Sequence, residues 1–337
     1  MTLLFRTIAA SFLVAGFAVL TSCDGPSLPD DGKPRIYVPV PPYAGIIEEL
    51  AGDFVHVESL ISEQDDPHSY SPTPKELTRL SSAALYFTAD LPFENNLVEK
   101  LGSGGSNIKI VSLVDQLERR SFEEGEHDHG GHDDDHGHDD HGHDDHGHDD
   151  HGHDDPGHDD HGHDDHGHDD HSSDELDPHV WLAPNLLIEQ VKLLKSQLAP
   201  ILATDEEKKT LETNASDLIQ KIRETDKELA VTLTPLRGKA FYVYHGAFGY
   251  FADAYGLKQV AVELNGRSPE PRQIANMIDR ARAEGVTVIF VQPQFDQTSA
   301  TALAESIGGT VLAIDPLAKD VLANLREIAS KLTSPES

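Results

Sequence analysis

Twice along this chain, short β-rich apolar runs alternate with helix-like segments, and no other feature limits the fold as strongly. The first series of runs occupies 35–40 (RIYVPV), 54–61 (FVHVESLI), 84–88 (ALYFT) and 108–113 (IKIVSL), with helix-like stretches at 43–51, 74–81 and 92–101. The second series occupies 240–245 (AFYVYH), 259–264 (QVAVEL), 286–292 (VTVIFVQ) and 310–315 (TVLAID), with helix-like stretches near 247–255, 271–284, 298–306 and 319–331. A helix between two strands carries the chain back to its starting edge, so successive strands run parallel and helices cover the sheet. The expected class is therefore α/β, with two (β/α) lobes built on parallel-type sheets. Local signals agree at the helix over 74–81, where Thr73 stands as N-cap, Pro74 at the first helical position and Glu76 at the third.

Two segments separate the series. After a helix expected over 185–198, residues 204–233 contain no Gly or Pro, and Leu211, Leu218, Ile222 and Leu229 recur at helical spacing among Lys and Glu. That pattern predicts one amphipathic helix of roughly 40 Å, ended by Pro235 and Gly238. The other segment, 121–176, interrupts the pattern. Residues 136–170 repeat HGHDD, with Pro156 replacing one His. A tract without apolar residues cannot offset its ordering entropy by burial, so disorder is expected there. The expected organisation is a signal peptide at 1–22, a flexible leash at 23–33, an N-terminal lobe at 34–203 that contains the 121–176 loop, a linker helix at 204–234 and a C-terminal lobe at 235–337.

Charge narrows the partners. The formal net charge is -34, from 26 basic and 60 acidic residues. Nucleic acid is excluded as a partner, because its recognition needs basic side chains to displace phosphate counterions. At the N-terminus, Arg6 precedes an apolar run over 8–20 that is too short to span a bilayer and suits a secretory signal. It ends in Leu20-Thr21-Ser22-Cys23, which resembles the lipobox of bacterial lipoproteins. Cys23, the only cysteine, would then carry the lipid that tethers the exported protein to a membrane in the cell envelope, periplasmic or outer-surface. With one Cys no internal disulfide forms, so the lobes depend on their cores.

Of 21 histidines, 17 lie between 127 and 171, which leaves His56, His68, His179 and His245. His56 alternates with Val55 and Val57 and is read as facing solvent from a strand. The other three follow or precede regular elements, in DDPHSYSPTP, DPHVW and FYVYH. Ligands of open α/β sheets bind beyond the carboxyl ends of the strands. Three imidazoles meeting there would make a metal site with a position to spare.

The segments DDPHSYSPTPKEL, DPHVWLAP, YHGAFGYFADAYGL, SPEPRQI and VLAIDPLA resemble, in order, the landmarks of the metal-specific substrate-binding proteins of ABC importers, and most closely their zinc branch. The likeness covers about 35–335. It implies two lobes around a cleft, a rigid helix between them, and metal ligands at His68, His179 and His245, with Asp315 as a further position. Manganese members usually carry Glu in place of His245, which favours Zn2+ as the transported ion. Many members have Asp after the third His, where this chain has Gly246, so a partner for that imidazole must come from elsewhere. The resemblance implies a monomeric receptor that hands zinc to an ABC permease and catalyses no reaction. Other readings are a manganese or iron receptor, a zinc metallohydrolase with Glu263 or Glu270 as base, and a metal-storage or adhesin protein at the cell surface. No HExxH motif supports the hydrolase. The His/Asp tract can offer zinc ligands, but it must be ordered around each ion, so it is expected to collect metal rather than to hold the primary site.

Overall fold

The computed structural model describes residues 31–103, 108–121, 176–263, 271–295 and 297–334. The expected signal peptide, Cys23, nearly all of the leash, and the tract over 122–175 lie outside the described residues. Pro34–Ser337 form one compact unit. Its elements follow the alternation: β1 (Arg35–Val38), α1 (Pro41–Ala51), β2 (His56–Ser59), α2 (Pro74–Ser81), β3 (Leu85–Thr88), α3 (Glu94–Ser103), β4 (Lys109–Ser112), α4 (Pro184–Leu198), α5 (Asp205–Thr232), β5 (Ala240–Val243), α6 (Gly249–Tyr255), β6 (Lys258–Ala261), α7 (Pro271–Ala283), β7 (Val288–Val291), α8 (Thr298–Ile307), β8 (Thr310–Ala313) and α9 (Val321–Thr333).

The strands form two four-stranded sheets, each parallel throughout. Their orders are β2-β1-β3-β4 and β6-β5-β7-β8, so both lobes repeat one topology. β3 and β7 are buried along their whole length, as expected of parallel strands covered on both faces. In the second sheet the order turns at β5, whose partners are β6 and β7. The loops leaving β5 and β7 therefore open at a topological switch point, where such sheets bind ligands.

Reciprocal caps start two of the helices. At α2, the Thr73 side chain accepts from the Glu76 N–H while the Glu76 carboxylate accepts from the Thr73 N–H. Thr204 and Glu207 repeat the arrangement at α5. α5 has 28 residues and buries Leu211, Ala215, Leu218, Ile222, Thr225 and Leu229. That stripe, at spacings of three and four, packs against α1, α4 and α9. The core is not divided at α5. One apolar cluster runs from the first sheet through Leu218 and Ile222 to Val243, Phe290 and Leu325, and a smaller one fills the other face of the second sheet around Tyr242, Ile289 and Leu303.

The strands end earlier than their apolar runs. His245 and Asp315, read as the last residues of strands, lie beyond β5 and β8, on the connecting loops. A 3-10 turn over Val180–Leu182, not expected from periodicity, follows His179 and buries Trp181.

Candidate metal centre

His245 follows β5 and is buried. Its backbone is held in both directions by the buried Gln292 side chain at the end of β7. The His245 N–H donates to Gln292 Oε1 at 3.0 Å, and Gln292 Nε2 donates to the His245 carbonyl at 3.0 Å. Its ring meets Glu263 just past β6, with Nδ1 at 2.7 Å from Oε1 and both side chains buried. A carboxylate accepts only, so Nδ1 is the protonated nitrogen and the lone pair lies on Nε2, which faces His68.

His179 is arranged in the same way from a different part of the chain. Asp177, fully buried, accepts the His179 N–H at 2.9 Å and meets Nδ1 at 2.8 Å through the same oxygen. This too places the ring proton on Nδ1 and the lone pair on Nε2. Asp177 is flanked by Arg120, whose Nη1 lies 3.6 Å from Oδ2 and whose Nε pairs with Asp253 at 3.0 Å. Gly249 lets that guanidinium in, since a Cβ there would collide with Arg120 Nη1. The second lobe fixes the His179 segment as well. Tyr250 Oη donates to the Asp177 carbonyl at 2.9 Å, and Trp181 Nε1 donates to the Pro316 carbonyl at 2.8 Å.

His68 lies between β2 and α2 on a segment without regular structure, and it is the exposed member of the three. Its Nε2 stands 3.4 Å from His245 Nε2. The His68 and His245 rings are 4.8 Å apart, and the His179 and His245 rings are 5.4 Å apart, each pair edge to face. Phe295 lies against both His68 and His245, at 6.1 and 4.9 Å between centroids. Donor atoms of His68, His245 and Glu263 all fall within 4.8 Å of one another.

Asp315, beyond β8, is bound by Gln294, which also holds the Glu63 carbonyl on the His68 segment. Its Oδ1 accepts from Gln294 Nε2 at 2.8 Å and from the Leu317 N–H at 2.8 Å. Burial pushes its carboxyl up from the ordinary value, and those two hydrogen bonds oppose the rise. His56 sits half-buried on β2, paired in register with Arg35. The fold therefore collects His68, His179 and His245 into one imidazole cluster and keeps His56 out of it.

Two orienting carboxylates were not read as such from sequence. Asp177 carries a signal, because an Asp two residues before a His can close a local turn onto its N–H. Glu263 ends an apolar run, and sequence had suggested it only as a possible base. In the structure its Oε1 meets the His245 imidazole and supplies the partner that Gly246 lacks. Glu270 is outside the described residues.

Comparison with known proteins places the chain. The family model of the periplasmic zinc-uptake complex component A, ZnuA, matches residues 36–333. The zinc-binding lipoprotein AdcA of Streptococcus pneumoniae is 27% identical over 322 residues, covering 94% of this chain and 55% of its own length. This chain thus spans about half of that relative. The high-affinity zinc uptake system protein ZnuA of Bacillus subtilis is 26% identical over 315 residues, covering 92% of this chain and 86% of its own. Among solved structures, a crystal structure of ZnuA superposes with a TM-score of 0.71 at 26% identity, covering 90% of this chain and 98% of the other. The parallel-sheet lobes thus agree with sequence kinship, and this chain belongs to the ZnuA family of periplasmic zinc-uptake components.

Proposed function

We propose that this protein is the extracytoplasmic zinc receptor of an ABC importer: it binds Zn2+ in the cleft and delivers it to the permease. One observation carries the reading. Two nitrogens bound to one tetrahedral zinc at about 2.0–2.1 Å stand about 3.4 Å apart. His68 Nε2 and His245 Nε2 stand 3.4 Å apart. At that distance two lone pairs repel unless a proton or a cation lies between them, and neutral imidazole donors suit zinc. His68, His179 and His245 are the proposed ligands. Asp315 is the proposed fourth donor, through the carboxylate oxygen that Gln294 and Leu317 leave uncommitted. Asp177 and Glu263 orient the rings, as the outer carboxylates of zinc sites do.

The protein is proposed to act without catalysis. The carboxylate nearest the cluster, Glu263, is engaged by His245, which supports an orienting role rather than that of a general base. Residues 122–175 are proposed to gather zinc near the cleft, because their His and Asp side chains concentrate divalent cations within about a Debye length of 8 Å. Cys23 is proposed as the lipid anchor of a monomeric receptor in the cell envelope, which the word lipoprotein in the pneumococcal relative's name supports.

Calorimetric titration with zinc tests the ligand set. The unaltered chain should show one tight event and several weak ones. His68→Ala, His179→Ala and His245→Ala should each lose at least the 10–100-fold that even outer carboxylates are worth, and keep the weak events. Because ligand imidazoles must be neutral and free histidine titrates at about 6.5, the tight event should weaken steeply below about pH 6. Undiminished tight binding in all three variants would refute the assignment.

A further inference from the structure

We infer that Gln294 is a positioning residue that sets how fast the metal leaves, by clasping the His68 loop across the cleft. The inference rests on the zinc-receptor reading and deepens it. The three imidazoles are not held alike. His179 and His245 are buried and each is fixed by a buried carboxylate, whereas His68 is exposed on the segment between Ser59 and Pro74. That segment keeps its own shape through short-range bonds: Ser62 N–H to Asp65 Oδ2 at 2.7 Å, and His68 N–H to Asp66 Oδ1 at 2.9 Å. Such bonds fix the loop internally but not its distance from His245, more than a hundred residues away in sequence.

That distance is set by contacts from the second lobe. Gln294 Nε2 donates to the Glu63 carbonyl at 2.6 Å and to Asp315 Oδ1 at 2.8 Å, so one amide group spans the cleft. The Lys319 N–H donates to Glu63 Oε1 at 3.0 Å, a second tie to the same residue. Phe295, next to Gln294, lies against the rings of both His68 and His245. Two residues earlier, Gln292 grips the His245 backbone. Pro293, with its fixed φ, joins the two glutamines. The segment QPQF at 292–295 therefore registers His245 with one side chain and the His68 loop with another. A glutamine suits this role because its amide offers two donors, one for each oxygen. For zinc to leave, His68 must swing away with its loop, and the Gln294 bond to the Glu63 carbonyl must break. Bonds present in the closed state and absent on entry act on dissociation rather than association.

The test loads the full chain with one equivalent of zinc and follows its release into excess chelator. Gln294→Ala removes the clasp. Gln294→Glu keeps its shape, removes the donors and sets a carboxylate against Asp315. Both should release zinc about tenfold faster or more, the factor given by one net hydrogen bond of about 1.4 kcal/mol. Association rates should hold, and the pH profile of affinity should keep its form. Glu63→Ala, which removes the Lys319 tie and keeps the Glu63 carbonyl, should give a smaller acceleration. Release within twofold of the unaltered chain in both Gln294 variants would overturn the inference. So would faster release confined to a variant whose metal-free form melts well below the unaltered chain, or one matched by slower association. If the unaltered chain binds no zinc tightly, the receptor reading itself fails, an outcome distinct from these.

Discussion

At the scale of single residues, the site depends on which nitrogen of each ring carries the proton. Asp177 and Glu263 each meet an Nδ1, at 2.8 and 2.7 Å, so each holds its imidazole with the lone pair on Nε2. Glu263→Gln tests this. The amide can present either its oxygen or its nitrogen to Nδ1, so it no longer enforces one tautomer. It also removes the negative charge that strengthens the ring as a donor. Zinc affinity should fall by about 10–100-fold, while thermal stability in the absence of metal changes little. Calorimetry and a melting curve measure the two quantities separately. An affinity loss no greater than the loss of stability would mean that Glu263 serves only packing. Asp177→Asn should cost affinity too, but it also disturbs the Arg120 pair and the His179 N–H bond, so its fold will suffer more.

At the scale of elements, the turn from β3 into α3 carries a pH dependence of its own. Glu94 is buried, and its carboxylate accepts from Tyr86 Oη at 2.5 Å and from the N–H groups of Ala89 and Leu91, both at 2.9 Å. Those amides flank Asp90, which has a φ of 62° and needs such support to stay in the left-handed region. Burial pushes the Glu94 carboxyl up to about 7, and its hydrogen bonds restrain the rise. A carboxyl raised in the fold binds its proton there at pH values where the unfolded chain has released it. Its contribution is thus fully present below about 4.5 and is lost as pH climbs to about 7. The amount is on the order of 3 kcal/mol. Glu94→Gln keeps an oxygen for the two amides and offers Tyr86 Oη a donor, with nothing to ionise. Denaturant unfolding between pH 5 and 8 should therefore lose stability with rising pH in the unaltered chain and less so in the variant. Equal slopes would show that Glu94 ionises at its ordinary pH.

At the scale of the whole molecule, the His/Asp tract leaves and re-enters the fold at one point. Ser121 and Leu176 pair as an antiparallel bridge, and the Asp177 N–H donates to the Arg120 carbonyl at 2.9 Å. With its ends already joined, the tract can be removed without separating anything. Deletion of 126–172 should leave the fold and the single tight zinc event in place and abolish most of the weak equivalents. Closing the shorter loop costs less entropy, so the melting temperature should hold or rise slightly. Loss of the tight event from a folded deletion protein would move the primary site into the tract. The undivided core points the same way, since one apolar cluster of described residues takes in both sheets together with Leu218 and Ile222 of α5.

Much of this was decided by sequence alone, because it rests on short-range physics. Strand and helix follow from the local spacing of apolar residues, and the caps at Thr73 and Thr204 from their neighbours three positions on. The four histidines outside the tract stand out by composition alone, and the motifs around three of them, His68, His179 and His245, carry part of the family likeness. Element ends were less legible, since an apolar run continues past the last paired residue: β5 stops at Val243 although the run reaches His245. Glu263 as the partner of His245, Gln292 as the brace of its backbone and Gln294 as the clasp on Glu63 were not legible. Those contacts join residues 18, 47 and 231 positions apart in the chain. No local pattern encodes such a distance. Only the parallel registers that bring the ends of β5, β6 and β7 together, and the packing that sets one lobe against the other, decide it.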